Sequence, residues 1–366
     1  MYKGMARTHR SGAYDPEKII GHSMQPNRAF QNASLTARLN PCIVGDGTCN
    51  GVAQRVGAIS LPILPPDMHM VAHSPSQLRS LLFVPADSQR KLDASLRSGA
   101  DALIFDLEDA VPEEGKALAR KQLTQFLAIH RDSMSPLTCI RINGFSTAHF
   151  MDDLAAIVRH RPDAVVLPKC RNADDVHRLS DFLSAYEHAL LGSTQQTSII
   201  AMPTETSEGV FGLASYRNAP MRLRALMWGV DDLAADIGAF SSHAEGELTS
   251  PFSVARTMCL LAAAQAGVDA IDAVSTRLGD ESDIEGDAAQ ARRDGFVAKA
   301  AGHPSHIAAI NRAFLPKDEE VAWARKVVAA FSKVGASGVV RLDDTMIDRP
   351  HLRLAHRILC QVHGED

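Results

Sequence analysis

From Ser74 onward the chain alternates between two kinds of segment, and that alternation restricts its fold more than any other feature. Eight short β-rich apolar runs recur: RSLLFV (79–84), ALIFD (102–106), LTCIRI (137–142), AVVLP (164–168), SIIAM (198–202), RALMW (224–228), AIDAV (270–274) and GFVAK (295–299). Between them lie amphipathic stretches such as GKALARKQLTQFLAIH (115–130) and NADDVHRLSDFLSAYEHALL (172–191). Asn172 is placed to cap the second of these helices, with Asp174 and Asp175 near its positive end. Eight strand–helix units over about 240 residues match a (β/α)8 TIM barrel in number and size. An open doubly wound sheet shows the same alternation, because counting strands does not prove closure. No G-x-G-x-x-G follows the first strand, which counts against the dinucleotide-binding version of that sheet. The expected organisation is a barrel over 75–316 and a C-terminal helical lid segment over 317–366.

Residues 1–74 are of a different kind. They hold scattered Gly, Pro, Asn and Ser without sustained periodicity, and nine Lys, Arg or His before residue 60 against three acids. GDGTCNG (45–51) has the glycines of a phosphate loop, but no amphipathic helix follows it, so it reads as a loop. No apolar segment of the secretory type follows the basic start. A poorly ordered extension is expected here, with Met68 or Met70 as candidate true starts.

Composition excludes several classes. A net charge of −5 argues against a nucleic-acid surface, which needs a basic field. Basic residues are scattered, so a polybasic membrane patch is not expected, and no apolar stretch approaches the roughly 18 residues of a membrane span. The six cysteines form no C-x-x-C pair, and a reducing cytoplasm is the simplest setting.

The chemistry sits where the strands end. In a closed barrel the active site forms at the C-terminal ends of the strands. Those ends read Pro85 and Asp87, then Asp106, Glu108 and Asp109, then Arg141 and Asn143, then Lys169. The later ends give Glu205, Asp231 and Asp232, Asp272, and finally Gly302 and His303. Carboxylates packed together raise one another's pKa, and a divalent cation removes that cost. Oxygen-only ligands favour Mg2+ over zinc, with two carboxylates plus waters and substrate oxygens as the usual arrangement. Arg141 adds a rigid fork suited to a carboxylate or enolate oxygen. The residue types therefore point to metal-assisted chemistry on a small oxyanionic substrate. Each residue also has a plainer reading. Arg141 and Lys169 can satisfy acids on neighbouring strands, Asp231 or Asp236 can cap the following helix, and His303 can cap or pack. Repetition across the strand ends outweighs those readings taken singly.

The segments RSLLFVPADSQRKL, DALIFDLEDAV, IRING, VVLPK, PTETSEGV, WGVDDLAADIG, AIDAV and GHPSHI also resemble, in order, citrate lyase β-subunit-like CoA-ester lyases of the HpcH/HpaI aldolase/citrate lyase family. The resemblance spans most of 79–361 and implies a (β/α)8 barrel, Mg2+, a CoA-thioester substrate and a homotrimer. Residue by residue, it makes Glu205 and Asp232 the metal ligands. It has Arg141 bind substrate and steady a thioester enolate, with Glu108 and Asp109 organising the metal's waters and the arginine. Arg79 is similar to the family's first-strand arginine, near substrate or the CoA chain, and Lys169, read from its strand end, is a further substrate-binding candidate. LDDTMIDRPHLRLAHRIL (342–359) is similar to a tail that caps a neighbouring subunit's site, where Asp348 would be the proton donor or acceptor. The plainer reading of Asp348 is a helix cap before Arg349 and Pro350.

Departures from the family pattern are Ala86 after the first strand, Ala298, Gly302 and His306 near the eighth, and Asp344 and Thr345 in the tail. They bear on CoA affinity and acyl preference. The activity expected is cleavage or formation of a carbon–carbon bond in a 3-hydroxyacyl-CoA such as malyl-, citramalyl- or citryl-CoA. The alternatives are a thioesterase on the same site, a CoA-independent aldolase of 2-oxo acids, and a subunit active only inside a citrate lyase assembly.

Overall fold

The computed structural model describes residues 78–194, 197–275, 280–334 and 338–362. The extension before Leu78, with its GDGTCNG motif, Cys42 and Cys49, lies outside the described residues. Eight strands form the frame: β1 (Ser80–Pro85), β2 (Ala102–Asp106), β3 (Leu137–Arg141), β4 (Ala164–Leu167), β5 (Ser198–Ala201), β6 (Leu223–Met227), β7 (Asp269–Asp272) and β8 (Ala298–Ala301). Every pair in this set is parallel, and β1 pairs with both β2 and β8. The barrel is closed, in the order β1-β8-β7-β6-β5-β4-β3-β2. Closure decides against the open sheet.

Seven of the apolar runs coincide with strands, and the eighth is displaced toward the C-terminus. GFVAK was expected to pair from Gly295, but pairing begins at Ala298, opposite Ile271. The helix before it explains the shift. Gly295, at φ 114, ends that helix in the left-handed region, and the N–H of Phe296 still bonds back to Ala291 O.

The intervening helices are α1 (Gln89–Ser95), α2 (Lys116–His130), α3 (Phe150–Ile157), α4 (Ala173–Leu191), α5 (Ser207–Gly212), α6 (Asp231–Ile237), α7 (Ser250–Ala266), α8 (Glu281–Asp294) and α9 (Ile307–Phe314). Asn172 caps α4 through its side-chain oxygen, which accepts from the N–H groups of Asp174 and Asp175. Strand residues alternate between two cores. Leu81, Ala102, Ile104, Cys139, Val166, Ile200, Met227, Ile271 and Ala300 fill the barrel interior. Their neighbours Leu82, Leu103, Phe105, Ile140, Val165 and Leu226 pack outward under the helices. That parity decides which strand-end side chains reach the mouth.

After Phe314 the chain continues as α10 (Asp318–Val334), an antiparallel hairpin of Val339–Leu342 and Thr345–Asp348, and α11 (Arg349–Val362). These elements share an apolar cluster of their own, around Val327, Phe331, Ile347, Ala355 and Ile358. No helix among the described residues is long and apolar enough to cross a membrane.

Candidate active site

The C-terminal ends of β2 to β6 bring one charge cluster together, buried at Asp106, Glu108, Arg141 and Glu205 and open to solvent at Asp109, Lys169 and Asp232. Asp106 and Arg141 are register partners on β2 and β3, and both continue the inward-facing parity of Ile104 and Cys139. Their side chains therefore meet: Arg141 Nε donates to Asp106 Oδ1 at 2.8 Å and Nη2 to Asp106 Oδ2 at 2.6 Å. Nη1 lies 3.1 Å from Glu108 Oε2, and the guanidinium rests over the Phe83 ring at 5.0 Å. One N–H on each terminal nitrogen stays uncommitted among the described residues. Burial opposes the guanidinium's charge, but Asp106, Glu108 and Glu205 outweigh it and raise its pKa above the ordinary value.

The DLED turn after β2 is fixed from below. Asp106 accepts from the N–H groups of Glu108 and Ala110. The buried Lys116 ammonium donates to the carbonyls of Leu107 and Glu108 at 3.0 and 2.7 Å, and Asn143 Nδ2 also donates to Leu107 O. Glu108 is thus held in place with its carboxylate between Arg141 and Lys169. Burial pushes its pKa up despite the two cations. Burial also acts to raise the pKa of Asp109, but hydrogen bonds with Glu108 and Lys169 outweigh it and lower the value.

Lys169 follows β4 with φ 50, a left-handed conformation for a non-glycine residue. Its N–H donates to Glu205 Oε2 at 2.5 Å. Its ammonium reaches Glu108 Oε1 at 2.5 Å, Asp109 Oδ2 at 3.1 Å and Asp232 Oδ1 at 3.5 Å.

Glu205 stands in the turn between β5 and α5, only 2% exposed. That turn is closed by the Thr206 side chain, which accepts from Gly209 N–H, and by Asp236, which accepts from Ser207 N–H. Gly229, at the end of β6, lies against the Glu205 side chain: a Cβ there would be 2.9 Å from Glu205 Cγ. This close approach links the ETSEGV and WGVDD segments. Burial raises the Glu205 carboxyl to about 8, against the lowering effects of the Lys169 N–H and Arg141, while Glu108 and Asp232 push it further up. Asp232, in the first turn of α6, sits at the positive end of that helix.

These groups suit a hard divalent cation. Glu205 is a buried carboxylate whose Oε1 accepts no hydrogen bond from the described residues, and Asp232 is near enough to raise its pKa further. No group of three or more His, Cys, Asp or Glu among the described residues could hold a metal. A closed protein cage is therefore absent from them. A carboxylate pair completed by water and substrate oxygens matches what Mg2+ prefers.

Two expectations need correction, those for Arg79 and Asp272. Arg79 does not reach this mouth. It precedes β1, roughly 20 Å from the strand's far end at strand rise, and its guanidinium grips Asp101 through Nε at 3.1 Å and Nη2 at 3.0 Å. Asp272 also lies elsewhere. Its neighbour Ile271 faces inward, so Asp272 points out under the helices to Trp228, Arg256 and Lys299. Asp348 closes the C-terminal hairpin, with Oδ1 2.6 Å from His351 Nδ1, and touches none of the cluster's residues within the described chain. His303 is a cap, accepting from Ser305 N–H. The residues that sequence reasoning left without a role are Asp106, Phe83, Lys116 and Gly229. Strand parity signalled the first; the others needed the turn geometry.

Residues 79–304 match the HpcH/HpaI aldolase/citrate lyase family over more than half of the chain. The chain belongs to that family, a family of lyases. The matched span holds every residue of the mouth from Asp106 to Asp232, and it ends before Asp348. Relatives extend further. A (3S)-malyl-CoA thioesterase of Cereibacter sphaeroides is 30% identical over 303 residues, covering 80% of this chain and 98% of the relative. A citrate lyase subunit beta-like protein of Mycobacterium tuberculosis is 33% identical over 283 residues, covering 76% and 93%. Among solved structures, CitE of Mycobacterium tuberculosis in complex with magnesium, acetoacetate and coenzyme A aligns with a TM-score of 0.64 at 31% identity, covering 78% of this chain and 98% of that one.

Proposed function

We propose that the protein is a Mg2+-dependent carbon–carbon lyase acting on a 3-hydroxyacyl-CoA such as malyl-, citramalyl- or citryl-CoA, in the cleaving or condensing direction. The observation that carries this reading is the buried Glu205 beside Asp232, at a mouth where Arg141 keeps two N–H groups for substrate. Glu205 and Asp232 would hold Mg2+, which when bound supplies Lewis-acid polarisation of substrate oxygens.

The chain's own residues do the rest. When the substrate hydroxyl has passed its proton to the Asp348 carboxylate of a neighbouring subunit, the adjacent carbon–carbon bond breaks to give a 2-oxo acid and a thioester enolate. The uncommitted N–H groups of Arg141 stabilise the charge developing on the thioester oxygen. Asp106 holds the guanidinium in one orientation beforehand, so that little reorganisation is needed as charge develops. Glu108 and Asp109 order water around the metal and fix the arginine. Lys169 is a further substrate-binding group. The enolate carbon takes its proton from Asp348 of a neighbouring subunit in a homotrimer, since Asp348 of the same chain touches no residue of the mouth.

A second reading is favoured by the malyl-CoA thioesterase relative, which this chain covers almost completely. There the same site would direct water at the thioester, releasing free CoA and an intact acid. One experiment separates the two. Purified protein is incubated with malyl-, citramalyl- and citryl-CoA, with Mg2+ or with EDTA, and the products are resolved by chromatography. A metal-dependent 2-oxo acid with a shorter acyl-CoA is expected. Free CoA with an unbroken acid moves the assignment to thioesterase. Absence of turnover from homogeneous protein, restored on adding citrate lyase partner subunits, makes it an assembly-dependent subunit.

A further inference from the structure

Lys169 is the one residue of the mouth that touches all four of Glu108, Asp109, Glu205 and Asp232. Around it, five carboxylates (these four and Asp106) face two cations, Arg141 and Lys169. Arg141 is committed to Asp106 and Glu108 by three nitrogens and is buried, so it cannot move without breaking a bidentate pair. Lys169 differs in each respect. Its ammonium is a point charge on a flexible stem, the side chain is 36% exposed, and its contact with Asp232 is the longest of its ion pairs at 3.5 Å. The left-handed backbone at φ 50 is uncommon for a residue with a Cβ. Here it lets the amide hold Glu205 while the stem runs to the other acids.

We propose that the Lys169 ammonium is a built-in counter-cation for the metal-free mouth, one that gives way when a divalent cation enters. Without metal it neutralises Glu108, Asp109 and Asp232 and keeps them gathered. As the cation arrives it releases Asp232 and withdraws toward Glu108 and Asp109. The carboxylates are thereby kept ready at some cost in metal affinity, because the entering cation must compete with a positive charge already there. This rests on the reading of Glu205 and Asp232 as metal ligands.

The test uses full-length protein without substrate at pH 8.5. Mg2+ affinity is measured by titration calorimetry, and Tm in EDTA, for wild type, Lys169→Met and Lys169→Arg. The methionine variant should melt several degrees lower in EDTA and bind Mg2+ about tenfold more tightly, as removal of a close positive charge requires. The arginine variant should recover the melting temperature of wild type and lose the extra affinity. If wild type binds Mg2+ and Lys169→Met binds it no more tightly, this proposal falls while the metal site stands. If wild type binds no Mg2+, the metal reading falls and the proposal with it.

Wild type alone supplies a second measurement should the methionine variant not fold. Acetylation by an N-hydroxysuccinimide ester, read by peptide mass spectrometry, should rise about threefold at Lys169 on adding Mg2+, relative to the exposed Lys121. Unchanged or reduced labelling overturns the proposal.

Discussion

Glu205 shows what burial does to a single carboxylate and how that reaches the whole protein. Its folded pKa lies near 8 and its ordinary value is 4.5. Between those limits the folded state keeps a proton that the unfolded state has released. The contribution to stability is therefore full below about pH 4.5 and is lost as pH rises through 8. At 1.36 kcal/mol per unit the loss has an upper bound of about 5 kcal/mol. In EDTA, wild type should accordingly lose more Tm between pH 5 and 9 than Glu205→Gln does. Parallel curves for the two proteins would show that the carboxyl ionises freely. At the mouth's other side, Asp106→Asn leaves Arg141 without its bidentate charged partner. kcat/KM should drop by about 100-fold, in the range seen when one preorganised donor is lost. Steady-state kinetics on the substrate found active in the CoA-ester panel checks this, and an unchanged kcat/KM would mean that Asp106 does not position the arginine.

At the scale of elements, strand parity separates what the sequence could tell from what it could not. Seven apolar runs are strands because each is buried on both faces, and that burial shows in composition. The eighth is blurred by a helix exit that borrows Gly295 and Phe296. The seven acids and bases now gathered at the mouth were legible as strand-end residues, and so was the outward turn of Asp272, since it follows the inward-facing Ile271. The end of β1 at which Arg79 lies was also readable, since a residue preceding a parallel strand cannot reach the strand's far end. The contacts that join two turns were hidden, because they depend on backbone approach rather than residue type. Gly229 is the sharpest case. A Cβ 2.9 Å from Glu205 Cγ must displace that side chain, so Gly229→Ala should weaken Mg2+ binding about tenfold while the far-ultraviolet circular dichroism is retained. Calorimetric titration reads the first and the spectrum the second; unaltered affinity would show that the turn yields without moving the carboxylate. A cap remote from the mouth provides the contrast: Asn172→Ala should cost about 1 kcal/mol of stability and leave turnover unaffected.

The whole molecule raises a question of completeness. The mouth has the carboxylates proposed to hold the metal, an arginine and a lysine, and yet Asp348 is paired with His351 on a hairpin whose apolar cluster is separate from both barrel cores. An element with its own core can be carried by one subunit and used by another, because its folding does not depend on the mouth it serves. If Asp348 acts on a neighbour's site, two damaged proteins can repair one another. Glu205→Gln ruins a mouth and leaves the tail intact, and Asp348→Asn does the reverse. Each homo-oligomer should be inactive in the lyase assay. Mixed oligomers, formed by co-expression with distinct tags and purified through both, should regain activity wherever an intact mouth meets a neighbour's intact tail. In a trimer whose tails all reach in the same rotational sense, either mixed composition contains one such junction. Activity should therefore approach one third of the wild-type value per trimer. A mixed oligomer as inactive as its parents would confine Asp348 to its own barrel, and an Asp348→Asn oligomer that stays active would place it outside the reaction. The proton would then have to come from water ordered by Glu108 and Asp109, two acids of the mouth that pair with Lys169.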